Sequence, residues 1–125
     1  MKKNPRSIVT GGAGFIGSNL VETLIRNGHK VIVLDNFVSG KKKNLSQHEK
    51  KDLKIIKFDI SKDKNIDKYF KGIDYVFHLA GLAEIIPSIK NPTKYFLNNV
   101  FGTLNVLEAA KKVKIKKLIY AASSS

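Results

Sequence analysis

Residues 10 to 20 read T-G-G-A-G-F-I-G-S-N-L, and no other stretch restricts the fold of this chain as strongly. Gly12, Gly14 and Gly17 satisfy G-x-G-x-x-G, while Gly11, Gly14 and Gly17 satisfy the wider G-x-x-G-x-x-G spacing. Such a turn needs residues without a Cβ where the backbone bends sharply, approaches a pyrophosphate, and packs a new helix against its strand. A helix beginning near Phe15 would then aim unpaired N–H groups and the positive end of its dipole at phosphate.

A glycine pattern alone would equally serve a structural turn, so its context matters. Ser7-Ile8-Val9-Thr10 reads as a short buried strand. Ile16, Leu20, Leu24 and Ile25 then recur at helical spacing before Gly28 ends the pattern. A second apolar strand, Val31 to Leu34, finishes at Asp35, 18 residues after Gly17, close to where a ribose-binding acid is expected. Strand, glycine turn, helix, strand and acid in this order predict a dinucleotide site.

Past Asp35, Asn36-Phe37-Val38-Ser39-Gly40 carries turn residues, and residues 41 to 52 are polar without a sustained period. Asn36, Ser39 and Gly40 could wrap a ribose or form an ordinary connection. Lys41 to Lys43 raise the question of NADP, but a carboxylate at Asp35 would repel a 2′-phosphate, which favours NAD. Leu53 to Phe58 is the third strand. Asp59 after it either accepts from an adenine amino group or, with Ser61, caps a short helix through Asp63, Ile66, Tyr69 and Phe70 that ends at Gly72.

The fourth strand, Ile73 to Leu79, is almost continuously apolar, as in a parallel sheet covered on both faces. It runs into Ala80-Gly81, small enough for a dinucleotide to pass close to the backbone. His78 reads as a hydrogen-bonded core histidine rather than a metal ligand or base, since the chain has no cysteine and no H-x-x-x-H spacing. Pro87, Asn91 and Pro92 break up the next segment. Asn91 caps a long helix with Pro92 in its first turn, and Leu97, Val100, Leu104 and Leu107 form its apolar stripe. Asn98, Asn99 and Thr103 interrupt that helix, so at least one should face the cofactor or the next strand. Ile115 to Ala122 is the fifth strand, followed by Ser123-Ser124-Ser125. Strands alternating with helical stretches predict an α/β, doubly wound parallel sheet.

Composition limits the alternatives. With 42% hydrophobic residues the chain can build a core, and without cysteine it has no disulfide or thiolate metal site. No apolar run reaches membrane-spanning length and no signal peptide is evident, so a cytoplasmic location with no membrane role is expected. The formal charge of +13 suits weak attraction to polyanions. The cations are mostly scattered lysines, with only Arg6 and Arg26 as arginines, so no specific nucleic-acid recognition is expected.

The motifs T-G-G-A-G-F-I-G-S, L-D-N, D-I, H-L-A-G, N-N-V-F-G-T and A-A-S-S-S stand in an order and spacing that resemble the N-terminal part of an extended short-chain dehydrogenase/reductase. Within that group the resemblance is to the NAD-dependent epimerase/dehydratase family, nearest to UDP-sugar 4-epimerases. It implies a Rossmann sheet of order 3-2-1-4-5 over residues 1–125, with the substrate domain absent.

By the same resemblance Gly11, Gly14, Phe15, Ile16 and Gly17 contact the pyrophosphate of NAD. Asp35, Asn36, Ser39 and Gly40 hold the adenosine ribose, Asp59 and Ile60 the adenine, and Leu79, Ala80, Gly81 and Asn98 the middle of the cofactor. Asn99 matches a structural asparagine of the family. Ser123, or Ser124 if the register slips by one, falls at the active-site Ser/Thr that hydrogen-bonds the sugar hydroxyl.

The implied reaction interconverts C4 epimers of a UDP-hexose by transient hydride transfer to NAD through a 4-keto sugar, with a homodimer as the full-length assembly. A 4,6-dehydratase, a decarboxylase or a non-catalytic NAD-binding module are the alternatives. Two departures stand out. Ala83 occupies the place of a lysine found in some UDP-galactose epimerases. In addition, Tyr69, Tyr75, Tyr95 and Tyr120 are followed four residues later by Ile73, Leu79, Asn99 and Ser124, so none forms the family's Y-x-x-x-K. The resemblance places that pair beyond Ser125 and implies no turnover by these 125 residues alone.

Overall fold

Four apolar runs of β-branched and aromatic residues, and a fifth more exposed one, line up side by side in a single parallel sheet, seen in a computed structural model that describes residues 3–45 and 51–123. The strands are β1 (Arg6–Thr10), β2 (Lys30–Asp35), β3 (Leu53–Lys57), β4 (Tyr75–His78) and β5 (Lys117–Tyr120). Their spatial order is β3-β2-β1-β4-β5, with Ile8 level with Ile32 on one side and Val76 on the other. The connections from β1 run outward in opposite directions. The sheet therefore has a switch point between β1 and β4, and a crevice opens there at the carboxyl ends of the strands.

Successive strand residues point to opposite faces. Ile8, Leu34 and Val76 go to one core with Phe58, Ile60, Phe70, Val106, Ala109 and Ala110. Val9, Val31 and Val33 go to the other with Val21, Leu24 and Leu45. The first face is covered by α2 (Asp67–Phe70) and α5 (Gly102–Val113), and the second by α1 (Phe15–Arg26) and a 3₁₀ turn (Lys42–Leu45). Helices on both faces require strands apolar on both faces, which is why the runs lack polar alternation.

Several expectations need correction. The first two strands exceed the expected ones by one residue at Arg6 and by one at each of Lys30 and Asp35, whereas the last three fall short of theirs, the fourth and fifth ladders stopping at His78 and Tyr120. Asp59 and Ser61 cap no helix: α2 spans four residues and its N-cap, Ile66, makes no side-chain bond. Their hydrogen bonds close a turn further upstream. The segment around Pro87 is α3 (Ile85–Lys90), tolerated because Pro87 lies in the first turn, where an N–H has no intrahelical partner to lose.

The long helix starts as expected, with the Asn91 side chain accepting the Lys94 N–H at 3.2 Å and Pro92 first in α4 (Pro92–Phe96). It then loosens into a π-helical turn, Leu97–Phe101, before α5. Its predicted stripe faces the wrong way. Leu97, Val100, Leu104 and Leu107 are 42–54% exposed, and the buried side is Gly102, Val106, Ala109 and Ala110. Small residues let α5 approach so closely that a methyl on Gly102 would lie 2.7 Å from Ile60. Ile16 is likewise 69% exposed, and α1 packs through Gly17, Val21 and Leu24.

Candidate functional site

The glycine turn joins β1 to α1 at the switch point. Gly11 has φ +70°, a left-handed conformation that glycine adopts without strain, and its N–H bonds to the Leu34 carbonyl at 2.9 Å. A methyl there would strike the Ala80 backbone at 2.8 Å, so the ends of β1 and β4 can meet only around glycine. A methyl on Gly17 would overlap the Gly11 carbonyl oxygen, which fixes how closely α1 begins behind the turn. Gly14 is the N-cap of α1, and no side chain bonds to the helix's first N–H groups. They are left to whatever occupies the crevice.

Asp35, at the end of β2, is only 7% exposed. One carboxylate oxygen accepts the Ala13 N–H at 3.0 Å and the other the Phe37 N–H at 2.8 Å. Phe37 takes φ +60°, unusual for a side chain of this size, and its ring packs on the α1-side core. The Ala13 carbonyl in turn accepts the Lys41 N–H at 3.1 Å and the Asn44 side-chain amide at 2.8 Å. Glycine turn, acid and following loop are thus one bonded unit. Asn44 was not expected from the sequence; its only signal was a polar residue ahead of the buried Leu45.

A cleft of about 370 Å³ lies along this edge. Its wall includes Gly11, Gly14, Phe15, Ile16, Gly17, Asp35, Asn36, Ser39, Gly40, Ile60, Leu79, Ala80, Gly81 and Asn98, all predicted for the cofactor. The wall also contains Leu34, Val38, Phe58, Leu82 and Ala121, which the sequence pattern does not single out. Leu34, Phe58 and Ala121 flank strand ends, and that position was the signal available.

Asp59 stands outside the wall. Its Oδ1 takes both the N–H and the hydroxyl of Ser61, at 2.9 and 2.6 Å. Desolvation raises its pKa, but the hydrogen bonds from Ser61 and Asn36 and the charge of Lys62 outweigh it and hold the carboxyl below its usual value. Ser123 is exposed beyond β5 and is not part of the wall; Ser124 lies outside the described residues.

His78 is 1% exposed and sits behind the cleft, bonded through Nδ1 to Thr10 at 2.6 Å and through Nε2 to Thr103 at 2.8 Å. Burial lowers its pKa to about 4, so the ring is neutral near pH 7. The described residues contain no cluster of three or more His, Asp or Glu suited to a metal, and no helix long and apolar enough to cross a membrane.

The chemistry of the cleft fits a dinucleotide: uncapped N–H groups at a helix start for the pyrophosphate, a buried carboxylate for ribose hydroxyls, and small residues where a flat cofactor crosses the sheet edge. The fold and this edge define a Rossmann-type nucleotide-binding domain. Residues 7–125 match the NAD dependent epimerase/dehydratase family, and the chain belongs to it.

Among solved structures it is similar to a UDP-N-acetylglucosamine 4-epimerase from Methanobrevibacter ruminantium, in complex with UDP-N-acetylmuramic acid. The identity is 43% and the TM-score 0.90, over 98% of this chain and 39% of the other. A Thermus thermophilus UDP-glucose 4-epimerase in complex with NAD is 36% identical with a TM-score of 0.84, over 94% of this chain and 37% of that one. The chain is also 38% identical over 123 residues to UDP-glucuronic acid decarboxylase 2 of Arabidopsis thaliana, covering 98% of this chain and 26% of the relative. It therefore spans about a quarter to two fifths of the length of these relatives.

Proposed function

We propose that these residues form the cofactor-binding part of an NAD-dependent nucleotide-sugar epimerase that interconverts UDP-hexose C4 epimers. The observation that carries the cofactor reading is the cleft itself, with the uncapped start of α1 at one point and the buried Asp35 carboxylate at another, linked through Ala13. NAD, when bound, supplies a site that accepts and returns hydride. The chain's own contribution is to hold it: the N–H groups at the start of α1 face the pyrophosphate, Asp35, Asn36, Ser39 and Gly40 face the ribose, and Leu79 to Gly81 with Asn98 flank its middle. Asp35 disfavours a 2′-phosphate, and NAD is the expected form.

The epimerase reading is supported by the two similar epimerase structures; similarity to a decarboxylase acting on another UDP-sugar makes decarboxylation the second reading. Ser123 would orient the reacting sugar hydroxyl, with Ser124 as the alternative, and Asp59 with Ile60 would border the adenine. The tyrosine and lysine that would move the hydroxyl proton belong, in this reading, to sequence following Ser125. A homodimer is supported by the exposed stripe Phe96, Leu97, Val100, Phe101, Leu104 and Leu107, a large apolar surface to leave in water.

Two measurements test this. Calorimetry on the chain should show NAD binding and weaker NADP binding; tighter NADP binding overturns the cofactor assignment. The product of the natural gene, given UDP-glucose, UDP-N-acetylglucosamine and UDP-glucuronate separately, should form a C4 epimer. Release of carbon dioxide and a UDP-pentose would establish the second reading instead.

A further inference from the structure

Behind the cleft, polar groups from β1, β4 and the π turn are joined in a ring, and hydrogen counting fixes the direction of every bond in it. The Thr10 hydroxyl oxygen accepts the Ala80 N–H at 3.1 Å and shares the Leu79 N–H with the Thr10 carbonyl oxygen, each at 3.1 Å. With these donors on its acceptor side, its single hydrogen goes to His78 Nδ1, 2.6 Å away. Nδ1 is then an acceptor, so the ring hydrogen sits on Nε2 and is donated to the Thr103 hydroxyl at 2.8 Å. Thr103 spends its own hydrogen on the Asn99 carbonyl at 2.6 Å. The Asn99 side chain closes the ring on Leu82, taking its N–H at 2.8 Å and giving to its carbonyl at 2.9 Å.

The opposite tautomer does not fit. A hydrogen on Nδ1 would be a third donor aimed at Thr10, whose own hydrogen would then have no acceptor, and Thr103 cannot give one hydrogen to both Nε2 and the Asn99 carbonyl. No buried side-chain nitrogen or oxygen among the described residues lacks a partner, as a ring with one consistent direction requires.

The ring encloses residues 79–82, all four of which line the cleft, and its π-turn member adjoins Asn98, which lines it too. Thr10, His78, Asn99 and Thr103 are not part of the wall. We propose that Thr103 and the Nε2–H form of His78 are positioning residues that lock the backbone of residues 79–82 to the helix carrying Asn98, and so set the middle of the cofactor-binding surface. The assignment rests on the cofactor reading above. Among the described residues, the aromatic ring stacked on His78 is that of Tyr120 on β5, with centroids 5.7 Å apart.

The test pairs binding with a spectroscopic reading of the ring. Thr103→Val removes the hydroxyl and Thr103→Ser retains it. NAD binding should weaken roughly tenfold in T103V, the worth of about one buried hydrogen bond, and stay within about twofold of the parent in T103S. Nitrogen-15 spectra of the parent should show His78 protonated at Nε2 and bare at Nδ1 at pH 7. A hydrogen on Nδ1 overturns the proposal. So does T103V that is merely less stable to heat and binds NAD as the parent does. Failure of the cofactor reading looks different: the parent itself takes up no NAD, and the positioning role falls with it.

Discussion

The Asp35 carboxylate accepts the Ala13 N–H at 3.0 Å, so the acid proposed to hold the ribose also braces the turn proposed to hold the pyrophosphate. Asp35→Asn should therefore act twice, losing a charged acceptor for ribose and turning one oxygen into a donor beside an N–H. Calorimetry should show NAD binding weakened tenfold or more, and denaturant unfolding a loss of about 1–3 kcal/mol. Relative affinity for NADP should rise. An unchanged NAD affinity would remove Asp35 from the site.

Two glycine substitutions should differ in kind. A methyl on Gly17 meets backbone that has nowhere to go, with Gly12 Cα at 2.8 Å. Gly17→Ala should cost several kcal/mol or prevent folding. Gly28, at φ +83°, has no atom within 4 Å of an added methyl, so Gly28→Ala should cost only backbone strain, about 1 kcal/mol. Thermal unfolding of the pair checks this, and equal losses would refute the steric account.

Acid should destabilise the fold well above the range where carboxylates titrate. His78 is held down to about 4 by burial, and its ordinary value is 6.5. Between those values the unfolded chain binds the proton and the folded chain does not, so stability is full above about pH 6.5 and drains as pH falls toward 4. The loss from this ring is roughly 3 kcal/mol. His29, also lowered by burial against a smaller opposing effect of Asp74, adds a loss of the same sign. Urea unfolding at pH 7, 5.5 and 4.5 would show it; a flat profile would mean that His78 is protonated in the fold.

For the natural gene product, Val100→Glu with Leu104→Glu should give monomers in sedimentation, because both side chains are about half exposed and contribute little to the chain's own core. Persisting dimers would place the interface elsewhere.

Much of the fold could be read from the sequence because its informative features are local. Apolar runs set the strands, and the glycine turn with Asp35 set the switch point and one end of the cleft. What escaped notice depends on distance or on partners. Thr10 and His78 are 68 positions apart, and nothing in either neighbourhood announces their bond. Asn44 reaches Ala13 across 31 positions. The stripe through Leu104 is apolar but lies on the side away from the sheet: periodicity reports a face, whereas the buried side is Gly102, Val106, Ala109 and Ala110, three of them too small to carry much apolar signal. Asp59 had two plausible uses, and the helix-capping one fails because its Oδ1 takes the N–H and hydroxyl of Ser61 in a turn upstream of α2.

The π turn at Leu97–Phe101 acts as a change of phase. Closing hydrogen bonds over five residues instead of four adds one residue to the turn, so everything after Phe101 is carried about 100° around the axis relative to an unbroken α-helix. With that offset Gly102 meets Ile60 and Thr103 meets His78, while Asn98 upstream keeps its place on the cleft. Shortening the turn by one residue would leave both flanking halves chemically intact and swing Thr103 off its partner. What this segment contributes to the site is a count of residues.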